Sequence, residues 1–143
     1  MIRVQAEDFD VGQELEKLSD GNHGVGGVCS FVGLVRDIAG DKTIEAMTLE
    51  HYPQMTEPAL AKIEAEAHDR WPLEETLIIH RYGRLEPGDR IVLVATASAH
   101  REAAFEACHF LIDWLKTQAP FWKLEETPDG GVWFESILAQ SLN

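Results

Sequence analysis

Cysteine, positive charge and long apolar runs are what this sequence has little of, and each shortage removes a class of protein. The only cysteines are Cys29 and Cys108, far apart and without a CxxC pair. A disulfide scaffold or structural zinc site needs more thiols at closer spacing, so a reduced, cytoplasmic chain is expected. Lys and Arg number 12 against 25 Asp and Glu, a formal net charge of −13. Binding to nucleic acid rests on clustered cations, and so does docking on anionic lipid, so neither partner is expected. No apolar run approaches the roughly 20 residues that span a bilayer, and Met1-Ile2-Arg3-Val4 does not begin a charged-then-apolar leader. Walker A, Rossmann glycine, nucleophile-elbow and HExxH patterns are all missing, which removes the common nucleotide, hydrolase and metalloprotease chemistries. Glu50, His51, His80, His100 and His109 supply ligand types without a ligand spacing. Neither a metal nor a cofactor is expected.

What is present is a globular composition: 143 residues, 45% hydrophobic and 26% charged. A chain of this length buries roughly 68–70% of its unfolded surface as one domain, taken here as residues 1–143. Ile2 to Gln5 reads as a short strand. Asp10 caps a helix carrying Val11, Leu15 and Leu18, which Asp20-Gly21 stops. Val25 to Val35, apolar and glycine-rich, reads as a central strand ending at Arg36. Thr43 to His51 alternates, with Met47 and Leu49 on one face and Thr48 and Glu50 on the other. Thr56-Glu57-Pro58 predicts the start of a second helix bearing Leu60, Ile63 and Ala67 and stopping near Trp71-Pro72.

Thr76 to His80 and Arg90 to Ala97 are strands around the turn Glu86-Pro87-Gly88-Asp89. A third helix runs from near Ser98 to about Thr117. Its polar residues Glu102, Glu106, His109, Asp113 and Lys116 form one solvent stripe. Most of the helix surface is therefore expected to be buried, by this chain or a second subunit. Phe121 to Glu126 and Val132 to Glu135 flank Asp129-Gly130-Gly131 as a hairpin. The sum is an α+β fold with about three helices and a mixed, largely antiparallel sheet.

The distribution of positive charge marks the chemistry. From Glu102 to Asn143 the only bases besides His109 are Lys116 and Lys123, either side of Gln118-Ala-Pro-Phe-Trp. Lys116 can serve simply as a cation at a helix C-terminus with Asp113 beside it, and Lys123 as an exposed strand residue. Alternatively Pro120 folds the chain so that both border one pocket walled by Phe121 and Trp122, each lysine lowering the other's pKa. His100-Arg101 opens the third helix, where free backbone N–H groups and an arginine fork attract an anion. Arg36, at the end of the glycine-rich strand, is a second anion candidate. Cys108 falls with Ala104, Leu111 and Leu115 on the buried side of its helix, and Cys29 lies in an apolar strand; both read as core residues.

Phe31-Val-Gly-Leu-Val-Arg36, Leu49-Glu-His-Tyr-Pro-Gln-Met-Thr-Glu57, Arg70-Trp-Pro-Leu73, His80-Arg-Tyr-Gly83, Pro87-Gly-Asp89, Ser98-Ala-His-Arg101, Phe105-Glu-Ala107 and Leu115-Lys-Thr-Gln-Ala-Pro-Phe-Trp-Lys123 fall in order along nearly the whole chain. Together they closely resemble the MoaE family, the large catalytic subunit of molybdopterin synthase. The resemblance implies an α/β hammerhead-type fold and an enzyme, a sulfurtransferase of molybdenum cofactor biosynthesis. Its substrate would be cyclic pyranopterin monophosphate, precursor Z, converted to the dithiolene molybdopterin. Two sulfurs would come from the thiocarboxylated C-terminus of a small ubiquitin-like carrier, MoaD. The implied assembly is a homodimer with a small subunit at each end, a heterotetramer.

By the same resemblance Lys116 and Lys123 are the catalytic lysines, and Leu34, Val35, Arg36, His100, Arg101, Lys116, Lys123, Leu124 and Glu125 bind substrate. Arg36, His100 and Arg101 would hold the phosphate. Leu34 and Gln118 stand where relatives often carry Lys and Arg, so the implied pocket holds less positive charge. At about 1.5 Å per residue, Arg101 and Lys116 lie roughly 22 Å apart along one helix, so a site shared across the homodimer is expected. The competing classes are a non-catalytic module binding the carrier's tail and a phosphate-ester enzyme acting through His100.

Overall fold

Two periodicities, two residues for strands and three to four for helices, divide residues 1–135, the part described by the computed structural model, into ten strands and three helices. In order these are β1 (Ile2–Gln5), α1 (Val11–Ser19), β2 (Gly27–Leu34), β3 (Ile38–Ala39), β4 (Lys42–Thr43), β5 (Ala46–His51), α2 (Pro53–Arg70), β6 (Leu73–Arg81), β7 (Gly83–Leu85), β8 (Arg90–Ser98), α3 (Arg101–Gln118), β9 (Phe121–Thr127) and β10 (Gly130–Glu135). The first sheet has the order β1-β6-β8-β2, antiparallel except for the parallel β1–β6 pair. The second, β10-β9-β5-β7, is antiparallel throughout, and β3 and β4 form a small hairpin. The α+β class with a mixed, largely antiparallel sheet is thus observed, divided into two sheets.

Strands β6 and β8 are apolar on both faces because helices cover both. Leu77, Ile79, Leu93 and Ala95 pack with Phe9 and with Val11, Leu15 and Leu18 of α1. Ile78, Val92 and Val94 face the main core, which holds Leu60, Ile63 and Ala67 of α2 and Cys108, Leu111 and Leu115 of α3. Asp10 caps α1 as expected, its side chain accepting a hydrogen bond from the Gln13 N–H at 3.0 Å. Trp71 ties the end of α2 to α3: its indole N–H donates to Glu106 at 2.8 Å, and its ring meets Phe110 edge-on at 5.2 Å.

Two expectations are corrected. Among the described residues strand β2 is an edge strand, hydrogen-bonded to β8 alone; its Cys29 and Phe31 pack on the main core and its Val32 on the α1 side, while Val28, Ser30 and Leu34 are exposed. Helix α2 starts at Pro53, with Tyr52 at the cap. Thr56 is therefore inside the helix, its hydroxyl donating back to the Tyr52 carbonyl at 3.0 Å, and Pro58 is accommodated further along. Within one chain α3 leaves Phe105 61% exposed and Phe110, Ile112 and Trp114 half-buried, an apolar surface beside the polar stripe. Among the described residues no helix is long and apolar enough to cross a membrane.

Candidate functional site

Strand alternation places Phe121, Lys123 and Glu125 on the buried face of β9, opposite His51, Leu49 and Met47 of β5. The Lys123 side chain has no solvent exposure, and its Nζ lies 3.6 Å from Glu125 Oε2. Burial holds this ammonium below the usual lysine range, while Glu125, itself 7% exposed, pulls the other way. Lys123 as an exposed strand residue is thereby excluded. Beside it the His80 ring stacks on Phe121, centroids 3.8 Å apart and planes within 15°. Its Nδ1–H donates to the Arg81 carbonyl at 2.8 Å, and burial pushes its pKa down to about 4. His51, 5.7 Å from Phe121 and 3.1 Å from Thr56 Oγ1 through Nδ1, is likewise shifted down by burial, against an opposing pull from Glu57.

The same alternation corrects one part of the expected pocket. Phe121 and Trp122 cannot wall one cavity, because adjacent strand residues point to opposite faces. Trp122 instead packs edge-on against Tyr52 at 5.2 Å and lines an open cleft of about 360 Å³ with Glu50 and His51. Leu124 shares that outer face, half-buried.

Glu125 connects Lys123 to the end of β2. It lines a narrow cleft with Val35, Arg36, Ile38, Ala39, Ile44 and Met47. Val35 is anchored there by its N–H, which donates to Asp89 O at 2.9 Å, and by its carbonyl, which accepts from Gly88 N–H at 2.8 Å. Arg36 follows as an exposed cation, and Leu34 before it is 47% exposed at a register slip in β2. The structure thus brings Val35, Arg36, Lys123 and Glu125 together.

The remaining candidates lie elsewhere in the chain. Lys116, half-buried, borders a groove of about 1160 Å³ between α2 and α3, with Lys62, Ile63, Asp113, Trp114 and Gln118. His100 and Arg101 are exposed at the opposite end of α3, roughly 22 Å from Lys116 along the axis. His100 is the N-cap residue and makes no side-chain cap, which leaves first-turn N–H groups without an intrahelical acceptor.

A further cleft of about 430 Å³ between β1, α1 and β6 contains the Arg3–Glu14 ion pair and none of these residues. Cys108 is an inert thiol, its pKa pushed up to about 12 by burial and by the neighbouring Cys29. Among the described residues no three His, Cys, Asp or Glu side chains cluster closely enough to hold a metal ion. Two residues that sequence reasoning did not place at the site, Gly26 and Ser98, hold the turn before His100. Their only signals were a glycine-rich segment and a serine ahead of a helix.

These features define an α+β protein of net charge −13 that holds a buried lysine paired with a carboxylate, and exposed arginines after β2 and at the start of α3. The family model described as MoaE protein matches residues 4–118, and the chain belongs to the MoaE family. It is 58% identical over 134 residues to the molybdopterin synthase catalytic subunit of Pseudomonas aeruginosa, covering 94% of this chain and 89% of that one. The molybdopterin biosynthesis MoaE protein of Burkholderia ambifaria has the same fold, with a TM-score of 0.84 at 50% identity over 100% of this chain and 92% of its own. The crystal structure of molybdopterin synthase from Staphylococcus aureus also superposes with a TM-score of 0.84, at 34% identity over 92% of this chain and 95% of that one.

Proposed function

We propose that this chain is the catalytic subunit of a molybdopterin synthase, a cytoplasmic sulfurtransferase that converts cyclic pyranopterin monophosphate to molybdopterin. The sulfur donor is the thiocarboxylated C-terminus of a small ubiquitin-like carrier of MoaD type. The observation that carries this reading is the buried Lys123–Glu125 pair, set against Arg36 in a chain of this family. The name borne by the Pseudomonas relative, catalytic subunit, denotes one part of a larger enzyme, which supports a partner subunit; the assembly we propose has a small carrier at each end of a homodimer core.

The chemistry divides between the lysines. Burial brings the Lys123 ammonium closer to neutrality than a surface lysine, so it gives up and regains a proton more readily at working pH, while Glu125 keeps it in place. Lys116, on the α2–α3 groove, approaches the carrier's thiocarboxylate or the pterin carbon under attack. Arg36, His100 and Arg101 hold the phosphate, and Leu34, Val35, Leu124 and Glu125 frame the substrate. Sulfur comes from outside because Cys108, buried and shifted upward, is a poor nucleophile.

Because α3 separates Arg101 from Lys116, each site is built across the dimer, with His100 and Arg101 of one subunit facing Lys116, Lys123 and Arg36 of its partner. Mixing an Arg101→Ala protomer with a Lys123→Ala protomer tests this. A shared site regenerates one intact centre in the mixed dimer and restores part of the dithiolene-forming activity. The mixture is assayed at pterin concentrations well below the parental KM, where both homodimers turn over slowly, and no recovery between homodimers that do exchange subunits would contradict it.

A further inference from the structure

The turn that presents His100 and Arg101 is held from behind by two residues with no charge of their own. Gly26, just before β2, donates its N–H to the Ser98 carbonyl at 2.9 Å. A Cβ on Gly26 would run into the carbonyl oxygen of Ala99 and lie 3.0 Å from its carbon, and both are backbone atoms that cannot swing aside. Ser98 is fully buried at the end of β8. Its hydroxyl donates to the Pro72 carbonyl at 2.8 Å and accepts from the His100 N–H at 3.3 Å. The backbone from Ser98 to His100 is thus fixed on one side by Gly26 and on the other by the segment between α2 and β6.

We infer that Gly26 and Ser98 are positioning residues for substrate, a clamp that sets the aim of His100 and Arg101. The inference rests on the reading that those two residues hold the substrate phosphate. A side chain at position 26 pushes Ala99 and the start of α3 outward, and loss of the Ser98 hydroxyl releases the His100 amide. In either case the arginine fork is displaced, and a charge-assisted hydrogen bond loses strength steeply with misalignment. Gly27 is the natural control, because a Cβ there would meet Arg101 Cα at 3.9 Å, ordinary contact.

Steady-state kinetics with thiocarboxylated carrier and cyclic pyranopterin monophosphate, alongside thermal melts, test the clamp in Gly26→Ala, Ser98→Ala, Gly27→Ala and Arg101→Ala. Arg101→Ala and Gly26→Ala are expected to raise the KM for the pterin about tenfold, the loss of roughly one charged hydrogen bond, with kcat nearly unchanged. Ser98→Ala raises KM in the same direction, and Gly27→Ala behaves as the parent. An Arg101→Ala variant with parental KM would overturn the phosphate assignment itself. If Arg101→Ala raises KM while folded Gly26→Ala and Ser98→Ala do not, or if they lower kcat alone, the clamp is refuted. Should Gly26→Ala fail to fold, Ser98→Ala decides alone.

Discussion

Replacing His80 by phenylalanine isolates one titrating group in the core. The folded chain holds His80 neutral, with its pKa near 4 against 6.5 for a free imidazole, and burial is the main cause. Below pH 6.5 the unfolded chain binds a proton at this position that the folded chain refuses until about pH 4. Stability therefore rises with pH through that window, and acidification removes it. At 1.36 kcal/mol per pKa unit the loss comes to roughly 3 kcal/mol by pH 4.

A phenylalanine keeps the stack on Phe121 and carries no proton, at the cost of the Nδ1 hydrogen bond to Arg81, about 1 kcal/mol at any pH. Urea unfolding followed by fluorescence of the four tryptophans, at pH values near 7.5 and 4, measures both proteins. Carboxylates titrate in both and cancel in the comparison. The variant should be slightly less stable at neutral pH and clearly more stable than the parent in acid, with unchanged m-values. Parallel stability profiles for the two proteins would refute the claim that His80 is held neutral.

Two more outcomes follow from the site. Lys123→Ala leaves Glu125 buried without its ammonium and should cost about 3 kcal/mol of stability, visible as a lower melting temperature, whereas Lys116→Ala, on an open groove, should melt like the parent; equal melting of both would contradict the burial of the pair. Cys108, with its thiol shifted to about 12 and its side chain enclosed, should resist alkylation by iodoacetamide in the native protein and react on unfolding, as peptide mass spectrometry can check.

How far the sequence was legible depended on whether a signal was local. Asp10 ahead of Val11, Leu15 and Leu18, the Asp129-Gly130 turn, and the two-sided apolar runs of β6 and β8 each carry their structure in neighbouring residues. Strands β3, β4 and β7 have two or three residues each and show no period to read. The start of α2 was placed too late because Thr56-Glu57-Pro58 has the pattern of a cap and first turn, whereas Pro53 opens the helix and the Thr56 hydroxyl bonds within it instead of capping it. For Lys123 the alternation was visible, but both phases of β9 carry an aromatic and an acid, so only the packing of Phe121 against His80 and His51 shows which phase is buried. The meeting of Arg36 with Glu125 depends on how the end of β2 packs near β5 and β9, which no local pattern encodes.

The central claim, sulfur transfer by this chain through its lysines, is tested most directly by reconstitution. The purified chain, supplied with a thiocarboxylated carrier and cyclic pyranopterin monophosphate, is assayed for dithiolene formation, and the assay is repeated with Lys116→Ala, which should leave the fold intact. The account predicts turnover by the parent and almost none by the variant. Carrier binding without turnover by the parent, or parental turnover by Lys116→Ala, would contradict it.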